Sequence, residues 1–256
     1  MSKIHIDRHP EAQVAVLTLD HERENRLHPE LAEAFATALD DLEGDDGVQA
    51  LVVTGADPKF FSNGLDLNWL MQNAAHLDRI VDYLGAINAL FARITLYPKP
   101  IVAALNGHTF AAGVFLSAHM DFRFMREDRG WVCLPESDIN IPLLPGMIQI
   151  CEAVMTPQGF RQMYYTGRRF TAPEALAIGF VDEVHPEEAL LPAAIAFASA
   201  LGKKKTRTYA EMKRRIRAKK TRTYAEMKRR IRAEIAKTLT EVDPGYFLPT
   251  LTFSMG

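Results

Sequence analysis

Short apolar runs alternate with polar, turn-forming stretches along the first half of the chain. The apolar runs are each long enough for one buried strand and lie at 14–19, 48–54, 101–105 and 122–125. Helices are predicted between them at 29–43, at about 66–93 and at 111–119. The first of these begins at Pro29 and has Leu31, Phe35 and Leu39 on one face. Strand, turn and helix therefore alternate, which predicts an α/β layered domain.

The pattern of the second half is mostly helical from about residue 156 onward. We place a soft boundary near residue 190, where helical sequence takes over. The predicted organisation is a core at 1–190 and a C-terminal helical region at 191–256.

Fifteen residues of the C-terminal region, KKTRTYAEMKRRIRA, occur twice in tandem at 204–218 and 219–233. Each copy has seven Lys or Arg and one Glu, whereas the whole chain has 30 basic and 32 acidic residues. An acidic body is thus joined to a basic segment. Neither copy contains Gly or Pro, which predicts a helix with one apolar stripe, formed in the first copy by Tyr209, Met212 and Ile216. The charges then serve as a solvated helix face or contact nucleic acid.

The composition is that of an intracellular globular protein. The chain is 48% hydrophobic and 24% charged, and its two cysteines, Cys133 and Cys151, give no disulfide framework. No apolar run reaches the ~18 residues of a membrane span. The first residues lack an apolar secretory core, and the last are not a Ser-Lys-Leu address. We expect a cytoplasmic enzyme if the source is bacterial, with a peroxisomal location open if it is eukaryotic.

Two turns join a buried strand to a helix. In the first, Gly64 lets the backbone approach a ligand and Asp66 suits a helix N-cap. The second, at 106–113, is rich in small residues and contains His108, a candidate base or a structural histidine. Each is also compatible with an ordinary turn. Together they could aim two backbone N–H groups at one oxygen, as an oxyanion hole requires.

One carboxylate stands out in an apolar, proline-rich stretch. Glu136 lies in LPESDINIPLLPG, at 134–146. Partial removal from water would raise its pKa toward that of a useful general base. The alternative is a surface glutamate in a loop.

In this order and spacing, the three segments resemble the enoyl-CoA hydratase/isomerase family, with its crotonase fold. The segments at 166–176 and 178–184 are also similar to this family, so the resemblance covers roughly 10–190. It implies a core of repeated ββα units, a C-terminal helical region used in trimer assembly, and an acyl-CoA thioester substrate. The expected assembly is a homotrimer or a dimer of trimers.

The resemblance also assigns the site. The two oxyanion amides are those of Leu65 and Ala112, and Glu136 is the catalytic base. Residues that line the substrate are Arg23, Asn25, Arg26, Leu27, Lys59, Phe61, Ser62, Asn63, Gly64, Asp66, Gly113 and Phe115. No metal and no cofactor is implied, with coenzyme A entering as part of the substrate. Cations of the duplicated segment could lie near the CoA phosphates.

Departures from the family pattern reduce the number of reactions that the resemblance implies. Hydratases of this family use two glutamates, and Phe115 stands where one of them is expected. A single base suffices to move a proton from C2 to C4, so the chain resembles the Δ3,Δ2-enoyl-CoA isomerase branch. Asn63 stands where a small residue is usual, and Asn140 where Gly is frequent, although Asn tolerates the left-handed conformation.

Other activities stay open. Within the fold these are hydration and another acyl-CoA lyase or hydrolase reaction. A different class would be RNA binding through the basic helix, which we do not expect because the segment has few aromatic residues. A silent scaffold would follow if Glu136 faced away from the pocket.

Overall fold

A computed structural model describes residues 3–139, 143, 145–204 and 206–216 of the chain. Within these residues the strands are β1 (Lys3–His9), β2 (Val14–Asp20), β3 (Ala50–Gly55), β4 (Phe60–Ser62), β5 (Ile101–Leu105), β6 (His108–Phe110), β7 (Phe122–Arg126), β8 (Val132–Cys133) and β9 (Glu183–His185). The helices are α1 (Pro29–Glu43), α2 (Leu67–Gln72), α3 (Leu77–Leu96), α4 (Ala112–Ala118), α5 (Pro145–Val154), α6 (Pro157–Thr166), α7 (Ala172–Ala177), α8 (Glu187–Gly202) and α9 (206–216). The α/β class predicted from the sequence is confirmed.

The strands form two sheets. The larger has the order β1-β2-β3-β5-β7-β9, with β1 antiparallel to β2 and every other pair parallel. All residues of β3 and β5 are buried, because helices cover both faces of the sheet. This explains why both strands are continuous apolar runs in the sequence. The smaller sheet has the order β4-β6-β8 and is parallel throughout.

The main core lies between the larger sheet and the helices α1, α3 and α4, around large buried side chains such as Phe35, Phe91 and Phe115. A second apolar cluster lies on the opposite face of that sheet. There Leu190, Ala194 and Ala198 of α8 pack on strand residues that include Val52 and Phe124. The boundary expected near residue 190 falls inside α8, so this helix covers the sheet and joins the two predicted regions.

The single helix expected at 66–93 is wrong, because the structure has two helices there. α2 ends at Asn73, whose side-chain Nδ2 donates to the Trp69 carbonyl oxygen at 2.8 Å. The Asn73 amide also donates to the Trp69 and Leu70 carbonyls. These bonds end the helix at Asn73, because a short polar side chain can bond to backbone carbonyl oxygens that a further helical turn would otherwise use. The helical prediction from residue 156 onward likewise missed β9, which extends the larger sheet beside β7.

Residues 206–216 of the first copy are helical in α9, as predicted. Met212 is 55% exposed and Ile216 is 73% exposed, whereas Lys213 is only 6% exposed. Lys213 is buried and pairs with Asp121 at 2.8 Å, so a charged side chain faces the body, whereas only Tyr209 of the apolar stripe is partly buried. The second copy, at 219–233, lies outside the described residues, as does Asn140. In the part of the chain that the structure describes, no helix is long and apolar enough to cross a membrane.

Candidate active site

The smaller sheet brings the three segments of interest to one edge. Ser62 of β4 pairs with Thr109 of β6, and Phe110 of β6 pairs with Cys133 of β8. Because the strands are parallel, their carboxyl ends lie side by side, and the chain continues from them into the Gly64 turn, the Ala111 turn and the Glu136 turn. Such an edge is where α/β proteins commonly place their ligands.

The two glycine-containing turns are in direct contact. Gly64 has φ +89°, and a Cβ added there would lie 2.8 Å from the Ala111 Cβ and 3.1 Å from the Ala112 nitrogen. A Cβ on Gly113 would lie 2.5 Å from the Ser62 carbonyl oxygen. Neither position can hold a larger residue without displacing backbone. The two glycines therefore permit the close approach of the Leu65 and Ala112 segments.

The amides of Leu65 and Ala112 are available to a ligand. Ala112 is the first residue of α4, where an amide has no partner within its helix. Ala111 before it has φ +49°, a rare conformation for a non-glycine residue, which sets the direction of the following peptide. Among the residues described, neither amide donates a hydrogen bond. Two such donors on adjacent turns can bind one oxygen that carries negative charge.

Glu136 is buried beside this edge. It lies in the 3₁₀ turn Pro135–Ser137, is 6% exposed, and its Oε2 has no hydrogen-bond partner among the described residues. Burial raises the pKa of Glu136 from 4.5 to about 7. A carboxyl with this pKa is half ionised near neutrality and can take up and release a proton there. The alternative interpretation of Glu136 as a surface glutamate is thereby excluded.

The 23–27 loop packs behind the Gly64 turn. The Leu27 amide donates to the Gly64 carbonyl oxygen at 2.7 Å, and the Asn63 amide donates to the Glu24 carbonyl oxygen at 2.9 Å. The Ser62 hydroxyl donates to the Asn25 carbonyl oxygen at 2.8 Å. The structure thus brings together the two segments that the sequence assigned to the substrate. Asn63 also reaches the Glu24 carboxylate through its side chain.

The three cations predicted near the substrate have different surroundings. Arg23 is exposed and pairs with Asp57 at 3.1 Å, whereas Arg26 pairs with Glu24 at 2.6 Å. Lys59 differs from the two arginines because its ammonium group lies over an aromatic ring, 5.2 Å from the centre of Phe60. The loop therefore holds Arg23 and Arg26 beside carboxylates on the outer side of the Gly64 turn.

The remaining predicted residues shape and cap the site. Phe61 and Phe115 are buried in the main core. Asp66 is the N-cap of α2, as predicted, and its Oδ1 accepts from the Trp69 amide at 3.0 Å. Phe115 is a buried apolar residue of α4, at the position where the resemblance places the second glutamate of hydratases.

Tyr83 was not predicted from the sequence as a residue of the site. Its hydroxyl accepts from the Asp66 amide at 3.2 Å and donates to the Leu27 carbonyl oxygen. Burial raises the pKa of this phenol well above its ordinary value, so it stays neutral. Tyr83 therefore ties the 23–27 loop to the residue that follows Leu65. The available signal was a tyrosine at a core position of α3, where the other buried side chains are almost all apolar.

His108 is enclosed by rings. It stacks on Trp131 with a centroid distance of 4.9 Å and on Phe110 at 5.1 Å. Burial, followed by the charges of Lys59 and Arg169, lowers the pKa of His108. These contacts favour the structural interpretation of this histidine.

Two cavities border Trp69 of α2. One, of about 310 Å³, is lined by His21, Asp66 and Trp69 among others. The other, of about 690 Å³, follows the groove between α1 and α3 and is lined by Tyr83 and Leu90 among others. Glu136 lines neither of them. Glu136 and the two amides are the candidate reacting centre, and residues 140–142 and 144 lie outside the described residues.

Comparison with known proteins identifies the family of the chain. The model of the enoyl-CoA hydratase/isomerase family matches residues 9–244. The chain is 31% identical to Enoyl-CoA delta isomerase 3 of Arabidopsis thaliana over 196 residues, which are 74% of this chain and 82% of that relative.

Solved structures that are named after either activity share the fold. An apo enoyl-CoA isomerase of Mycobacterium tuberculosis superposes with a TM-score of 0.82 at 28% identity, covering 90% of this chain and 98% of that one. An enoyl-CoA hydratase of Mycobacterium marinum gives 0.81 at 28% identity, covering 91% and 99%. Since the family model spans most of its length, the chain belongs to the enoyl-CoA hydratase/isomerase family and has the α/β crotonase fold.

Proposed function

We propose that the protein is an enoyl-CoA isomerase that converts a 3-enoyl-CoA into the conjugated 2-enoyl-CoA. The observation that carries this proposal is the buried carboxyl of Glu136, whose Oε2 has no hydrogen-bond partner among the described residues, at the same sheet edge as the two amides. The facing helix α4 has the sequence AGVFLSA and supplies no second carboxylate. One base that moves a proton between two carbons needs no partner, whereas hydration needs a water activated and a proton delivered.

In the first step the thioester oxygen of the substrate accepts hydrogen bonds from the amides of Leu65 and Ala112. The ionised Glu136 takes a proton from C2, so the C2–H bond breaks and its electron pair delocalises toward C4 and the thioester oxygen. The amides stabilise this dienolate, and one such donor is commonly worth ~10²–10³ in rate.

In the second step Glu136 returns the proton to C4. A C4–H bond forms, the double bond lies between C2 and C3, and the thioester carbonyl is restored. Glu136 is again a carboxylate, so atoms and charge balance without an external donor. A pKa near 7 suits a group that must accept and then release the same proton.

The buried apolar ring of Phe115 supports the same proposal, because it offers no carboxylate that could activate a water for attack on C3. The 23–27 loop is expected to bind the CoA moiety, with Arg23 and Arg26 near its phosphates. Assembly as a trimer, or a dimer of trimers, belongs to this proposal.

The test compares products and variants. Purified protein is given 3-hexenoyl-CoA and, separately, 2-hexenoyl-CoA, and the products are separated by chromatography. We expect 2-hexenoyl-CoA from the first substrate and little 3-hydroxyhexanoyl-CoA from either. Glu136→Gln should lower isomerase activity by roughly 10²–10⁴-fold. Glu152→Gln on α5, where the side chain is exposed, is the matched control and should keep full activity.

Hydration is the second candidate, and the relative from Mycobacterium marinum, named a hydratase at 28% identity, favours it. Formation of 3-hydroxyhexanoyl-CoA faster than 2-hexenoyl-CoA would replace the isomerase proposal by this one. Near-wild-type activity of Glu136→Gln on both substrates would remove Glu136 as the base of either reaction.

RNA binding receives less support from the described part of the basic segment. Lys213 is buried against Asp121, and Arg214 and Arg215 both pair with Glu211. Fewer cations are therefore left for phosphate contacts than the sequence suggested. Binding of single-stranded RNA that weakens steeply with salt would restore this alternative.

A further inference from the structure

The first copy of the duplicated segment docks on the body through two polar side chains. Thr206 donates from its hydroxyl to the Gln49 side-chain oxygen at 3.2 Å. Lys213 donates to the Asp121 carboxylate at 2.8 Å and to the Lys99 carbonyl oxygen at 3.4 Å. We call the area around Gln49 and Asp121 the docking surface.

Asp121 makes this surface selective for a cation. Its side chain is 6% exposed, and its Oδ2 accepts from the Ile101 amide at 2.9 Å as well as from Lys213. A buried carboxylate is costly unless a cation compensates its charge. The docking surface therefore requires a lysine or arginine at a fixed distance from the side chain that reaches Gln49.

The second copy presents the same side chains at the same spacing. Thr206 and Lys213 are seven positions apart, which places them on one helical face two turns from each other. Thr221 and Lys228 repeat this spacing, and every residue of 219–233 equals its counterpart in 204–218. Because the two copies are identical in sequence, the groups on Thr206 and Lys213 that contact Gln49 and Asp121 are present again on Thr221 and Lys228.

We propose that the docking surface binds either copy of the duplicated segment, so that the chain has two docking registers. In one register the first copy is docked, as the structure describes for residues 206–216. In the other 219–233 is docked and the first copy forms a connecting loop after Lys203. The entropy of closing a loop grows only slowly with its length, so a 15-residue connection leaves the second register accessible.

The two registers differ in where residues 234–256 lie. In the second register these residues begin directly after the docked copy. In the first register they begin fifteen residues later, about 22 Å further along if the intervening copy is helical. The surface thus sets where the end of the chain lies, independently of the proposed catalytic activity.

A set of lysine variants tests this proposal by thermal unfolding. Deleting either copy gives the same single-copy chain. In that chain no second lysine can replace Lys213 as the partner of Asp121, so Lys213→Met should lower Tm by ~10 °C. In the full chain, Lys213→Met and Lys228→Met should each cost only a small part of that shift. The double variant should fall as far as the single-copy Lys213→Met. A full-length Lys213→Met that falls equally far would overturn the proposal.

Disulfide trapping tests it independently of stability. Gln49→Cys is combined with Thr206→Cys, with Thr221→Cys, or with Thr223→Cys as a control on another face of the second copy. We expect bonds with the first two and none with the control, read as mobility on a non-reducing gel. The native Cys133 and Cys151 are buried and do not compete. No bond to position 221, or equal bonding at 221 and 223, contradicts a second register.

Discussion

The Ala111 amide donates a hydrogen bond to the Cys133 carbonyl oxygen, 3.0 Å away. Ala111 sets the direction of the peptide whose nitrogen belongs to Ala112, and Cys133 is the last residue of β8 before the turn that carries Glu136. One backbone bond thus links a candidate oxyanion donor to the candidate base. A displacement of β8 moves both groups together, and this preserves the distance between them.

The rate of isomerisation should depend on pH through Glu136. Because the pKa of this buried carboxyl is about 7, its ionised form is the minority below pH 7. We expect kcat/KM for 3-hexenoyl-CoA to rise about tenfold per pH unit below pH 7 and to level off above it. Glu152→Gln should show the same profile. Half-maximal activity near pH 4.5 would mean that Glu136 is not desolvated in the free enzyme.

The same carboxyl should make stability depend on pH with a predictable sign. Between pH 4.5 and 7 the folded protein keeps a proton on Glu136 that the unfolded chain has lost, so stability falls as pH rises through this range. Above pH 7 the full cost of the buried charge is present, up to about 3 kcal/mol. Glu136→Gln removes this cost.

Urea unfolding of wild type and Glu136→Gln at about pH 4.5 and about pH 8.5 measures the effect. We expect the free energy of unfolding of the variant, relative to wild type, to be larger at the higher pH. An equal difference at both values would show that the burial of Glu136 does not perturb its ionisation.

Adding one methyl group at Gly64 should impair catalysis. An alanine there must adopt φ +89° and would place its Cβ 2.8 Å from that of Ala111, which pushes the two turns apart. We expect kcat to fall by roughly 10²–10³-fold, the usual cost of one lost oxyanion donor. Gly85→Ala on α3 is the matched control, because nothing lies within 4 Å of its Cβ position. Full activity of Gly64→Ala would exclude the Leu65 amide from the reaction.

Tyr83 should act as a positioning residue. Tyr83→Phe loses the hydroxyl that joins the Asp66 amide to the Leu27 carbonyl, and we expect both kcat/KM and the free energy of unfolding to fall, the latter by about 1–3 kcal/mol. Tyr97→Phe is the control, since that buried hydroxyl donates to the Leu39 carbonyl oxygen in α1, away from the 23–27 loop. It should lose stability without losing activity. Equal effects of the two variants on kcat/KM would show that Tyr83 stabilises the fold and does not position the catalytic groups.

Elements with long, regular patterns could be predicted from the sequence. The helix at 29–43 was predicted to the residue, because Pro29 starts it, its apolar positions follow the helical period and Gly44 ends it. The four long parallel strands were predicted within two residues at each end for a similar reason. The family resemblance also identified the Gly64, Ala112 and Glu136 segments, which the structure brings to one edge.

Features that depend on distant partners could not be predicted. β4, β6 and β8 have two or three residues each, too few for a pattern, and exist because they pair with one another. Lys213 is buried because of a carboxylate 92 positions away, so its local sequence indicated an exposed charge. The break at Asn73 depends on one side chain that bonds its own helix instead of water.

The proposed oxyanion site consists of main-chain N–H groups, and this changes how mutation can act on it. Every substitution at Leu65 or Ala112 keeps the N–H group, except proline. Random substitutions at Leu65 and Ala112 therefore seldom remove either N–H donor. Substitutions at Phe115 and Glu136, in contrast, change the side chains next to the substrate and leave the two donors in place. A lineage with this scaffold can exchange one acyl-CoA reaction for another in a few steps and keep its means of holding the thioester throughout.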